Sequence, residues 1–188
     1  KEQLLSTVIE HIDIKSFDAR PIIDAYGKMS FTARDTSRAA SIYNSMLADP
    51  NCGIFLSLAG STSAGGCMDL YVDLVRNNMI DGIIATGASI VDMDFFEALG
   101  YKHYRGSQSV PDEQLRDLYI DRIYDTYINE EDLQACDSTI KQIANSLAPK
   151  PYSSREFIKE MGRFLAEGGS KKKGSLIEEA YKADVPIF

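Results

Sequence analysis

The chain has 188 residues, with 28 Asp plus Glu against 20 Lys plus Arg and a formal net charge of -8. That length is one domain, or a substantial part of one larger domain, and the acidic balance argues against a nucleic-acid binder, which shows a basic face. Apolar residues at 44% exclude disorder, no apolar run reaches the length of a membrane helix, and Lys1–Leu4 carries no signal-peptide core. Three cysteines without a C-x-x-C pair suit a reducing, cytoplasmic setting.

In chain order, Asp35 or Thr36 is placed to cap a helix carrying Ala39, Ile42, Tyr43 and Met46, with Pro50 outside its end. Residues 52–60 form an apolar run closing in small residues, and residues 81–89 repeat that design. Such runs read as buried parallel strands feeding loops. Met68, Tyr71, Val72 and Val75 recur between them at helical spacing, which completes a right-handed βαβ unit. A short helix over 94–99 ends at Gly100. Further helices are expected over 112–127, 131–147, from Ser153 or Ser154 to Leu165, and over 176–183. Val185–Phe188 reads as the opening of another strand, and Gly168–Gly174 as an exposed basic loop.

Chemistry is expected in the loops at the carboxyl ends of the two strands. Gly60, Ser61, Thr62, Ser63 and Ala64 open the crossover helix with glycine freedom, hydroxyls and free N–H groups that can bind an anion. Neither G-x-G-x-x-G nor the P-loop lysine is present, and an ordinary small-residue turn explains this loop equally well. Thr86, Gly87 and Ala88 lie at the matching end of the neighbouring strand. Two such loops on one sheet edge describe where open α/β sheets bind nucleotides.

Asp92 and Asp94 follow the second loop. A carboxylate there can accept from ribose hydroxyls or hold an ammonium group, or it can simply cap a helix. Asp69 and Asp73 read as a solvated helix face. His11 and His103 are far apart, with no ligand spacing around them, and His103 reads as a packed or surface residue. Tyr119, Tyr124 and Tyr127 fit helix packing or a subunit interface, and Lys171–Lys173 a solvated loop. There is no G-x-S-x-G elbow.

From about Phe31 to Phe188 the chain resembles the deoxyhypusine synthase family, including its bacterial and archaeal members. The likeness lies in Ile54-Phe55-Leu56-Ser57 with the Gly60–Gly66 loop, in 74–81, in Thr86-Gly87-Ala88, in 97–100, in 121–125 and in 184–188. The resemblance implies a Rossmann-like parallel sheet flanked by helices and a tetramer of identical subunits built from tight dimers. NAD and spermidine are implied at the dimer interface. NAD would oxidise spermidine, a lysine would capture the aminobutyl group, and the group would pass to one lysine of a translation factor precursor.

Residue by residue, the family's NAD loops fall on Gly60, Ser61, Thr62, Ser63 and Ala64 and on Thr86, Gly87 and Ala88. Its paired acidic positions fall near Asp92, with Asp94 the other choice across a one-residue insertion. The nucleophilic lysine lies in a late Trp-Gly-Lys stretch, whereas this chain has no tryptophan. Residues 1–188 are therefore expected to be the N-terminal part of a single NAD-binding domain, completed by a C-terminal segment or chain and inactive without it. Two other readings remain: a homospermidine synthase that transfers to a small amine, and a non-catalytic subunit that binds NAD or polyamine.

Overall fold

A computed structural model describes residues 1–188. Its centre is the expected βαβ unit. Strands β1 (Phe55–Leu58) and β2 (Gly82–Ala85) pair in parallel, with Leu56 opposite Ile83 and Ser57 opposite Ile84. The crossover helix, Met68–Arg76, buries Met68, Tyr71, Val72 and Val75, the residues at helical spacing. The final residues add a third parallel segment on the far side of β2: Ile187 bridges Ile83, and the Phe188 N–H donates to the Ile83 carbonyl at 2.9 Å. The order is therefore β1, β2, 186–188.

Two helices precede this unit. α1 (Arg20–Tyr26) and α2 (Phe31–Ala48) pack against each other and bury no residue of their own. Tyr43 ties α2 to the body by donating to the Met79 carbonyl at 2.9 Å. α2 begins a turn earlier than the Asp35 or Thr36 cap expected from sequence. The Thr36 hydroxyl instead donates back to the Thr32 carbonyl at 2.8 Å, a bond made inside a helix rather than at its start. The crossover helix is α3.

The larger departure lies at 103–129, where an antiparallel sheet replaces most of the long helix expected over 112–127. Helix α4 is Phe96–Ala98, β3 is His103–Arg105, α5 is Asp112–Asp117, β4 is Ile120–Ile123 and β5 is Thr126–Asn129. The sheet order is β3, β5, β4. Helix ends where Tyr119 takes φ 55° and the hairpin turns where Tyr124 takes φ 54°. Ile120, Ile123, Thr126, Tyr127 and Ile128 then favour strand as β-branched and aromatic residues. Leu115, Ile120 and Tyr127 form a small core of their own, and the Tyr127 hydroxyl donates to the Ser107 carbonyl at 2.8 Å. Residues 7–9 add an outer antiparallel segment through the Val8–Tyr104 bridge.

Helices α6 (Glu130–Ser146), α7 (Ser154–Phe164) and α8 (Leu176–Ala183) complete the chain. The sequence signals hold closely here. Ser153 and Glu156 form a reciprocal capping box, and Ser175 accepts from the Glu178 N–H. α3 and α8 pack together on one face of the parallel sheet, over Ile83 and Ile187. The opposite face leaves Phe55, Ile84 and Phe188 at 58%, 52% and 44% exposure. No helix is long and apolar enough to cross a membrane.

Candidate functional site

The loops that follow β1 and β2 meet at the carboxyl edge of the parallel sheet. Gly60 takes φ +72°, a left-handed conformation that favours glycine, and a side chain added there would point into open space. The two loops are stitched by Ser89, which is buried. Its N–H donates to Thr86 Oγ1 at 3.3 Å and its hydroxyl reaches the Gly60 carbonyl at 3.4 Å. With that proton committed, the 3.0 Å contact between hydroxyls is Thr86 donating to Ser89 Oγ.

A cleft of about 480 Å³ opens beside this stitch, within the size range of ligand sites. Gly60, Ser61, Thr86, Ala88 and Asp92 line it. Met93 adds to that wall, and the antiparallel sheet and α6 supply Asp121, Ile123, Ile128 and Leu133. Sequence reasoning placed Asp121 inside a helix and missed it. Ile120-Asp121-Arg122-Ile123 shows no period-two alternation, so no local pattern signalled this strand.

The remaining predicted residues are placed differently. Ser63 and Ala64 turn inward and are buried, in a wide helical turn over Ser63–Cys67. Thr62 Oγ1 accepts from the Tyr71 hydroxyl at 2.8 Å, anchoring the loop to α3. Gly87 sits between the lining residues Thr86 and Ala88, with open space where a Cβ would project.

The two aspartates after the second loop have separate roles. Asp92 is half-buried in the cleft wall, and burial, reinforced by the nearby Asp137 charge, pushes its carboxyl upward. Burial also raises Asp121, with Glu130 adding to it. Two carboxylates in one cleft favour a cation. Asp94 is enclosed under the N-terminus of α8. Its oxygens accept from the Leu176 and Ile177 N–H groups at 2.7 and 2.8 Å and from the Ser175 hydroxyl at 2.7 Å. Burial pushes its carboxyl up to about 6, against those three donors. An aspartate capping a helix distant in sequence leaves no free face for a ligand.

One buried cluster lies outside the cleft and outside every sequence expectation. Glu97 is the hub of His11, His103 and Lys172, at 2.7, 2.8 and 2.6 Å. Although burial raises this carboxyl, the bonds from both imidazoles and the Lys172 charge hold it well below the ordinary range. One of the three loop lysines thus turns inward instead of into solvent. Asp73, expected on a solvated face, is buried and accepts from Lys15 Nζ at 2.8 Å.

Comparisons with known proteins bear on the chain as a whole. The chain is 70% identical, over its whole length, to a deoxyhypusine synthase-like protein of Coxiella burnetii, of which it covers 53%. It is 66% identical to another from Caulobacter vibrioides, of which it covers 51%. The chain thus spans about half the length of these relatives. A crystal structure from Entamoeba histolytica, assigned as a deoxyhypusine synthase, superposes with a TM-score of 0.59 over 96% of this chain and 61% of that one. At 20% identity that likeness shows the fold alone. The family profile for deoxyhypusine synthase matches residues 21–188, from the start of α1 to the last parallel segment, and the chain belongs to that family.

Proposed function

We propose that this chain is the N-terminal, nucleotide-binding portion of an NAD-dependent aminobutyltransferase of the deoxyhypusine synthase type. The observation that carries this reading is the convergence of Gly60, Ser61, Thr86, Ala88 and Asp92 on one cleft. The backbone near Gly60 is open to close approach, and the hydroxyls of Ser61 and Thr86 lie in the same wall. These groups suit the pyrophosphate and riboses of a dinucleotide. No Lys or Arg lines the cleft, so backbone N–H groups would meet the phosphates. When bound, NAD would take up a hydride from an amine-bearing carbon and return it.

Asp92 and Asp121 fit the other half of the chemistry. A protonated polyamine such as spermidine would relieve both carboxylates at once, because an ammonium beside a partly buried carboxylate offsets its desolvation. Asp121 also keeps a small diamine in play as the acceptor, as in homospermidine synthesis. An acceptor assay with spermidine and NAD, offering either the precursor protein or putrescine, decides between them. The lysine that carries the aminobutyl group would come from outside these residues.

The fold supports an incomplete Rossmann-like sheet. The chain steps from β1 to β2 to residues 186–188 in one direction, with α3 and α8 on the same face. Right-handed crossovers cover the opposite face only when the chain turns back and adds strands beyond β1. A C-terminal segment doing so would cover Phe55, Ile84 and Phe188 and place the β1 loop at a switch point. The test is to express residues 1–188 alone and with the remaining half of a full-length protein, in the presence of NAD and spermidine. The reading expects activity only in the pair. A soluble, cooperatively folding 1–188 that transfers the group unaided would refute it.

A further inference from the structure

We infer that residues 7–12 are a strap that fixes the carboxyl half of the nucleotide loop, with His11 as its positioning residue. The inference rests on the dinucleotide reading above. The strap is held at one end by β3, where the Ile9 N–H donates to the His103 carbonyl at 2.9 Å and the Arg105 N–H to the Thr7 carbonyl at 2.7 Å. At its other end it grips the loop. The Ile12 N–H donates to the Gly66 carbonyl at 2.9 Å, and Gly66, at φ +105°, lies so close to the Glu10 carbonyl that an added Cβ would sit 2.9 Å from that oxygen.

His11 joins these contacts to the core. Its Nδ1 accepts from the Met68 N–H, the first residue of α3, at 3.3 Å. The same ring nitrogen cannot also carry a proton, so Nε2 carries it and donates to Glu97 at 2.7 Å. Glu97 is fixed in turn by His103 and Lys172. The effect reaches the cleft through the loop's own backbone. The Cys67 N–H donates to the Thr62 carbonyl and the Gly65 N–H to the Ser61 carbonyl, at 3.0 and 2.9 Å. Ser61 lines the cleft. Sequence distance hides this path, since His11 lies 57 residues from Met68 and 86 from Glu97.

Two conservative variants separate positioning from simple stability. Asn at position 11 keeps an acceptor where Nδ1 stands and loses the reach to Glu97. Gln keeps a donor where Nε2 stands and loses the acceptor. The experiment uses the full-length protein and reads amide hydrogen exchange over residues 65–71 together with NAD affinity by calorimetry. His11→Gln should raise exchange and weaken NAD binding by about tenfold each, whereas His11→Asn should leave both within about threefold even where its melting temperature falls. Equal exchange in the two variants, or wild-type exchange in His11→Gln, overturns the strap. Raised exchange in His11→Gln, in a protein whose wild type binds no NAD, supports the strap and refutes the dinucleotide reading instead.

Discussion

Asp92 and Asp94 stand two residues apart, yet one faces the cleft and the other is sealed beneath α8. Glu97, three residues further on, is buried as well, but against imidazoles and an ammonium rather than backbone N–H groups. The same short segment therefore carries a carboxylate open to ligands, one that caps a helix and one that anchors an ionic hub. Burial raises the first two, while the charges and donors around Glu97 overcome its burial. Carboxylates near these loops are thus sorted by what donates to them, not by their distance from the loop.

The sharpest way to break this comparison is Asp94→Ala. It leaves two backbone N–H groups and a hydroxyl without acceptors in a buried site, and should cost about 3 kcal/mol of stability in urea unfolding. A loss under about 1 kcal/mol would mean that α8 does not depend on this cap. Glu97→Gln comes next, at about 2 kcal/mol. Breaking a buried pair costs more, but Lys172 is partly exposed and can turn to water.

Titration separates the same two residues. Asp94 holds its proton more tightly folded, at about 6, than its ordinary 3.8, so between those values the folded state carries the extra proton. Its contribution to stability therefore falls as the pH rises through that window. Glu97 is depressed below its ordinary 4.5, so its contribution is complete above that value and is lost as the pH falls. Melting curves across pH should show Asp94→Asn flattening the first slope and Glu97→Gln the second. Exchanged effects would reverse the assignment of the two environments.

Effects on ligands should be smaller. Asp92→Asn should raise the spermidine requirement by about tenfold, and Asp69→Asn should change it by less than about twofold. Equal changes would return Asp92 to a structural role. Gly87→Val is expected to weaken NAD binding several-fold while leaving the fold intact, because a Cβ there meets nothing within 4 Å. Unchanged calorimetric affinity would remove Gly87 from the site.

The antiparallel sheet shows where reading the chain fell short. Leu115, Leu118, Ile123 and Tyr127 suit a helical period, but positive φ at Tyr119 and Tyr124 breaks that helix and turns the hairpin. The bulky side chains gave no glycine or asparagine signal for those turns. The site was half legible for a related reason. Gly60, Ser61, Thr86 and Ala88 belong to loops set by the ends of their own strands, whereas Asp121 enters the cleft only through the hairpin.

The sequence by itself determined the βαβ unit, the last three helices and the two small-residue loops. Those features depend on local period, caps and glycine, which act over a few residues. Tertiary structure alone decided that Asp94 serves α8 and that His11, His103 and Lys172 gather on Glu97. Both follow from polar groups brought together by chain segments tens of residues apart, and no local pattern encodes such a meeting.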